Sequence, residues 1–131
     1  MTTFQFELTS PERLVFAGEV EQVVVPGSEG EFGVLADHAP FIAMLRPGIL
    51  TIVGAGERRF VVRGGFAEVN AKGLTVLADF AAPVEEVDRD MLAGQIKDLE
   101  EDVADASEGH ERDRAAQRLA ELKAVQAVLG H

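Results

Sequence analysis

The chain has 131 residues, 47% hydrophobic and 27% charged, and its 23 acids against 12 bases leave a formal charge of −11. Disordered chains pair low hydrophobicity with high net charge, so this composition predicts a folded protein with one main core. The acidic excess disfavours nucleic acid and anionic lipid as partners, the apolar runs fall far short of the roughly 20 residues that span a bilayer, and the absence of cysteine excludes disulfides and thiolate metal sites.

In chain order, the first residues lack the basic start and apolar run of a signal peptide, so a cytosolic location is expected. The alternation FQFEL at 4–8 predicts a strand. Further strands are predicted at 19–25, 32–35, 41–45, 49–53, 59–63, 66–70 and 74–79, from alternating or β-branched runs. Turns are expected at Pro26-Gly27, Pro47-Gly48, 54–57 and 71–73. Many short strands at this spacing predict an antiparallel sandwich or barrel.

Near Pro83 both charge and period change. Residues 1–84, 85–110 and 111–131 carry net charges of −4, −8 and +1. Leu92, Ile96, Leu99 and Val103 recur at helical spacing after a capping Asp88, with Asp90 in the first turn. Ser107 to Gly109 breaks the pattern. A second helix is expected over about 111–129, with Ala115, Leu119, Leu122, Gln126 and Leu129 in one stripe and Ala116 and Val125 beside it. The short connection makes the helices antiparallel neighbours. The fold class is therefore α+β: an N-terminal antiparallel β-sandwich over 1–84 and a C-terminal antiparallel two-helix hairpin over 85–131. Pairs such as Glu101 or Asp105 with Arg114 or Arg118 would each contribute only about 0–1 kcal/mol, so narrow, alanine-rich stripes must hold the hairpin. A hairpin that docks weakly and opens without unfolding the sandwich is expected.

The densest set of reactive side chains is Glu29, Glu31, Asp37 and His38, which could serve as a metal site or an acid–base pair. Glu29 and Glu31 nevertheless alternate in a glycine-rich turn, without the burial that raises a carboxylate pKa. His110 and His131 stand at a helix connection and at the last position. The glycines at 27, 30 and 33 lack a Walker lysine and lead into no helix, so turn geometry accounts for them. No catalytic residue, metal or cofactor is assigned. An autonomous metal-dependent enzyme and a generic adapter are the rival readings; an interaction protein with polar loops and a helical arm fits the residues better.

The stretch VVVPGSEGEFGVL at 23–35, followed by DHAP at 37–40 and LRPG at 45–48, resembles the central signature of epsilon subunits of F-type (bacterial) ATP synthases. SPE at 10–12, FAGEV at 16–20, GGFAEV at 64–69 and LTVLAD at 74–79 are similar in the same order. The resemblance implies a sandwich of about ten strands with a helix–loop–helix. It implies a non-catalytic part of the central rotor stalk that links gamma to the c-ring and couples proton flow to ATP synthesis. Glu29, Gly30 and Glu31 match the family's c-ring contact, and His38, Ala39, Pro40 and Phe41 match the segment that packs on gamma. The resemblance implies a hairpin that can extend along gamma to the alpha and beta subunits and obstruct hydrolysis. Helix two, however, offers only Arg112, Arg114, Arg118 and Lys123 to clasp an acidic surface, so strong inhibition is not predicted. Some relatives bind ATP there through Ile or Leu, Asp, two variable residues and Arg-Ala. HERDRA at 110–115 keeps Arg114 and Ala115, but His110 and Glu111 replace the first two positions, which counts against nucleotide binding. The implied location is the cytoplasmic face of the bacterial inner membrane, peripheral, without insertion.

Overall fold

The computed structural model describes residues 2–54, 56–105 and 109–129, with Val128 described by its backbone alone. Ten strands precede two helices: β1 (Phe4–Thr9), β2 (Leu14–Val20), β3 (Gln22–Gly27), β4 (Gly30–Leu35), β5 (Phe41–Met44), β6 (Gly48–Gly54), β7 (Gly56–Arg63), β8 (Phe66–Asn70), β9 (Gly73–Leu77), β10 (Phe80–Pro83), α1 (Arg89–Asp105) and α2 (His110–Leu129). The chain divides into two compact units, Met1–Glu85 and Glu86–His131.

The first unit holds two five-stranded sheets, ordered β2-β1-β9-β8-β5 and β10-β7-β6-β3-β4. Alternation decides their faces, because successive side chains point to opposite sides of a strand. Phe6 and Leu8 of β1 and Val76 of β9 enter the core from one sheet; Val25 of β3, Leu50 of β6 and Phe60 of β7 enter from the other. Each is fully buried, and burial of such a side chain stabilises by about 1.5–3 kcal/mol. Arg58 closes one margin of this core, its guanidinium 5.4 Å from the Phe16 ring centre and 5.2 Å from that of Phe60.

The sandwich departs from expectation in three places. The strand expected at 19–25 divides at Glu21, where the chain leaves one sheet for the other and the Glu21 amide donates to the Val53 carbonyl at 2.9 Å. The β2 and β10 strands were not foreseen. In β2 the Ala17-Gly18 pair lowers β propensity, and a register shift between Leu8 and Thr9 interrupts the alternation. In β10 the proline is tolerated because the strand lies at a sheet edge. Finally, β1 and β9 pair in parallel, Gln5 with Gly73 through Thr9 with Leu77. Sixty-odd residues separate them, so no tight turn imposes the antiparallel arrangement.

The topology sorts the connections onto two ends. All odd-numbered strands run one way and all even-numbered strands the other. Residues 10–13, 28–29, 45–47, 64–65 and 78–79 therefore gather at one end, while Glu21, 36–40 and 71–72 gather at the opposite end.

In the second unit, Asp88 caps α1 as expected: its Oδ1 accepts from the Met91 amide at 3.0 Å and its carbonyl from the Leu92 amide at 3.0 Å. Leu92 and Ile96 of α1 are buried, as are Leu122, Val125 and Leu129 of α2, and the two helices pack together. Gln126 and Ala116, expected in or beside the stripe, are exposed instead. His110 is the first residue of α2 rather than part of the connection. His131 and Ser107 lie outside the described residues. A cross-hairpin ion pair does form, but it joins Glu100 to Lys123 at 3.2 Å, both about half exposed. No helix among the described residues is long and apolar enough to cross a membrane.

Candidate functional site

The β3–β4 hairpin carries the first expected contact. Its register pairs Pro26 with Glu31 and Gly27 with Gly30, which narrows the loop to Ser28 and Glu29. Two corrections follow. Pro26-Gly27 ends strand β3 instead of forming the turn, and Glu31 sits inside β4 instead of sharing the loop with Glu29. Gly30 adopts a φ of 134°, where a side chain would be strained. At Gly27 an added methyl would meet the Gly30 carbonyl oxygen and the Phe32 ring, both at 2.8 Å. Glu29, Gly30 and Glu31 are exposed.

This tip is tied to the neighbouring sheet. The Ser28 amide donates to the Met44 carbonyl at 2.8 Å, the Arg46 amide donates to the Pro26 carbonyl at 3.0 Å, and Gly27 and Leu45 form an antiparallel bridge. The Leu45 amide in turn donates to the Gly65 carbonyl at 3.0 Å.

The second expected contact stands at the other end of β4. His38, Ala39 and Pro40 are exposed, with the His38 amide donating to the Leu35 carbonyl at 3.1 Å. Phe41 is half-buried against the core, its ring 5.2 Å from that of Phe32 and 4.9 Å from that of His38. Core packing therefore uses much of Phe41, leaving His38, Ala39 and Pro40 as the accessible part. Six residues of β4, roughly 20 Å of strand, separate the carboxylates from the imidazole. That distance dismantles the joint metal or acid–base site of Glu29, Glu31 and His38.

A larger feature crosses the outer face of the first sheet. The registers align Met44 with Phe66, Phe66 with Leu77, Leu77 with Thr9, and Thr9 with Leu14, one row through all five strands. Met44 is 59% exposed, Leu14 56% and Leu77 42%, and Ile42 beside them is 66% exposed. The next row reads Ile42, Glu68, Thr75, Glu7 and Ala17, and Glu19 stands beyond it on β2. The strand positions on this outer face carry three glutamates and no lysine or arginine. A contiguous exposed apolar patch on a small domain marks a protein contact. Sequence reading missed it, because each strand contributes only one or two of its residues.

In the hairpin, Arg114 is exposed and Ala115 half-buried. Asp102, Asp105 and Glu111 line an open cleft with Ala115, so negative charge borders that residue.

An apolar row on one sheet face and a rigid charged tip at one end define a protein built around contacts with other proteins. The comparisons give that class a family. The ATP synthase delta/epsilon chain β-sandwich domain matches residues 3–84. ATP synthase epsilon chains of Maricaulis maris and Rhodopseudomonas palustris are 52% and 53% identical over 127 and 130 residues, covering 96% and 98% of this chain and 96% of each relative. A chain in the Euglena gracilis mitochondrial ATP synthase, in a structure of OSCP, F1 and c-ring, superposes with a TM-score of 0.82 at 26% identity, covering 98% of this chain and 82% of that one. A chain of the Tetrahymena thermophila mitochondrial ATP synthase central stalk and c-ring shares the fold, with a TM-score of 0.70 at 16% identity and 97% coverage of both. The chain belongs to the ATP synthase epsilon chain family.

Proposed function

We propose that the chain is a non-catalytic subunit of the rotor's central stalk, which links gamma to the c-ring and passes torque between them during proton-driven ATP synthesis. The observation that carries this reading is the apolar row of Leu14, Leu77, Phe66 and Met44, half-buried at Phe66 and exposed at the other three, a strip open for a partner in a chain of this family. Gamma covers the row and extends along the sheet to His38, Ala39 and Pro40 at the other end of the sandwich, with Phe41 behind them. The three glutamates beside the row favour lysine or arginine on gamma around its apolar contact. Glu29, Gly30 and Glu31, at the same end as the row and opposite to His38, meet the polar loops of the c-ring.

The hairpin reaches the alpha and beta subunits, with no nucleotide held at Arg114 and Ala115. The complex places the chain at the cytoplasmic face of a bacterial inner membrane as a peripheral component. Affinity purification from membranes tests this reading: wild-type chain brings down gamma and c subunits, and Met44→Asp combined with Leu77→Asp loses gamma while the isolated chain keeps its thermal midpoint. Retention of gamma by the double variant would overturn the docking face, and absence of both partners from the wild-type eluate would overturn the rotor assignment.

A further inference from the structure

Resting on the ring-contact reading above, we infer that Arg46 is a further ring-contacting residue, so that this corner offers a base beside two acids and fits a partner loop carrying a carboxylate next to a basic group. Arg46 stands in the connection from β5 to β6, at the same end of the sandwich as Glu29. Its amide donates to the Pro26 carbonyl at 3.0 Å, directly opposite Glu31 in the β3–β4 register. The residue before it is anchored twice, by the Gly27–Leu45 bridge and by burial of the Leu45 side chain. The residue before that accepts the Ser28 amide.

Met44 and Arg46 are therefore hydrogen-bonded to Ser28 and Pro26 of the hairpin tip, with Leu45 facing Gly27 between them. The backbone that carries Arg46 is thereby tied to the hairpin that carries the two glutamates. The side chain of Arg46 is exposed and engages no described residue in an ion pair or ring contact. A basic group beside two acids adds register to the contact. A partner loop that merely carried positive charge would be attracted by Glu29 and Glu31 and repelled by Arg46, whereas one with an acid beside its base fits in one orientation.

The segment also ends the apolar row, since Met44 exposes its side chain on the sheet face while its carbonyl holds the tip. Load entering at the tip thus reaches the other face through one short stretch of chain.

The chain has no cysteine, so a single introduced thiol is unique. Arg46→Cys and Glu29→Cys chains, each assembled in the complete synthase in membranes, are treated with a short thiol-to-amine or thiol-to-carboxylate crosslinker, and products are identified by mass spectrometry. Both positions are expected to join the ring subunit, Glu29→Cys to an amine and Arg46→Cys to a carboxylate. In parallel, Arg46→Glu should weaken assembly about two- to fivefold, less so at high salt, and Arg46→Lys should restore most of it. Crosslinking from Glu29→Cys but not Arg46→Cys, or wild-type assembly by Arg46→Glu, overturns the inference and leaves the ring reading standing. Failure of both thiols to reach the ring overturns the ring reading itself.

Discussion

The Ser28 amide donates to the Met44 carbonyl at 2.8 Å, joining the turn that carries Glu29 to the strand that completes the apolar row. The tip and the apolar row are therefore linked through the backbone. The tight fit at Gly27 makes this linkage testable. Gly27→Ala places a methyl against the Gly30 carbonyl and the Phe32 ring, and the tip must shift to admit it. Urea unfolding of the isolated chain should report a loss of about 1–3 kcal/mol, and the assembled synthase should couple less tightly.

Charge at the tip is separable from folding. Glu29 and Glu31 are both exposed and neither packs into the core. Glu29→Lys with Glu31→Lys should change stability by no more than about 0.5 kcal/mol for each substitution, while the ratio of ATP made to protons translocated falls. Full coupling in inverted membrane vesicles would count against the ring contact.

The hairpin should open at lower free energy than the sandwich. Val24 lies in a strand paired on both sides, with Gly33 and with Thr51. Leu99 lies in a helix whose buried residues are Leu92 and Ile96 alone. Native-state hydrogen exchange is expected to show the Leu99 amide exchanging through a local opening, far faster than Val24. Equal protection would refute an independently opening arm.

Loss of the cap should loosen the same arm. Asp88→Ala removes the acceptor of the Met91 amide and should cost about 1 kcal/mol. Exchange at the first turn of α1 should accelerate about fivefold, with Val24 unchanged. The ion pair of Glu100 and Lys123 is exposed, so Lys123→Ala should have a smaller effect.

ATP should not stabilise the hairpin. Asp102, Asp105 and Glu111 surround Ala115, and a triphosphate placed there would meet like charge. Titration calorimetry with millimolar ATP is expected to yield no saturable heat, and a saturable signal lost in Arg114→Ala would reverse this conclusion.

Local features were legible because short-range physics decides them. The alternation from Phe4 to Leu8, the cap at Asp88 and the spacing of Leu92 and Ile96 each involve residues within one or two turns of chain, and all three appear in the fold. The motif stretch from Val23 to Gly48 marked the family and brought both Glu29 and His38 into view. It did not reveal that β4 holds them at opposite ends, because hairpin register shifts every residue's position along the sheet.

By itself, then, the sequence determined the two periods, which local spacing carries, and the family, which the motif stretch from Val23 to Gly48 carries. Tertiary structure alone decided the apolar row. Leu14, Thr9, Leu77, Phe66 and Met44 come from five strands scattered over the first unit, and only the pairing of β1 with β9 and its neighbours aligns them. It also decided the place of Arg46, whose proximity to Glu29 arises from hydrogen bonds between segments about twenty residues apart. Strand pairing is a long-range choice made by burial of the opposite face, so no window of the chain contains it.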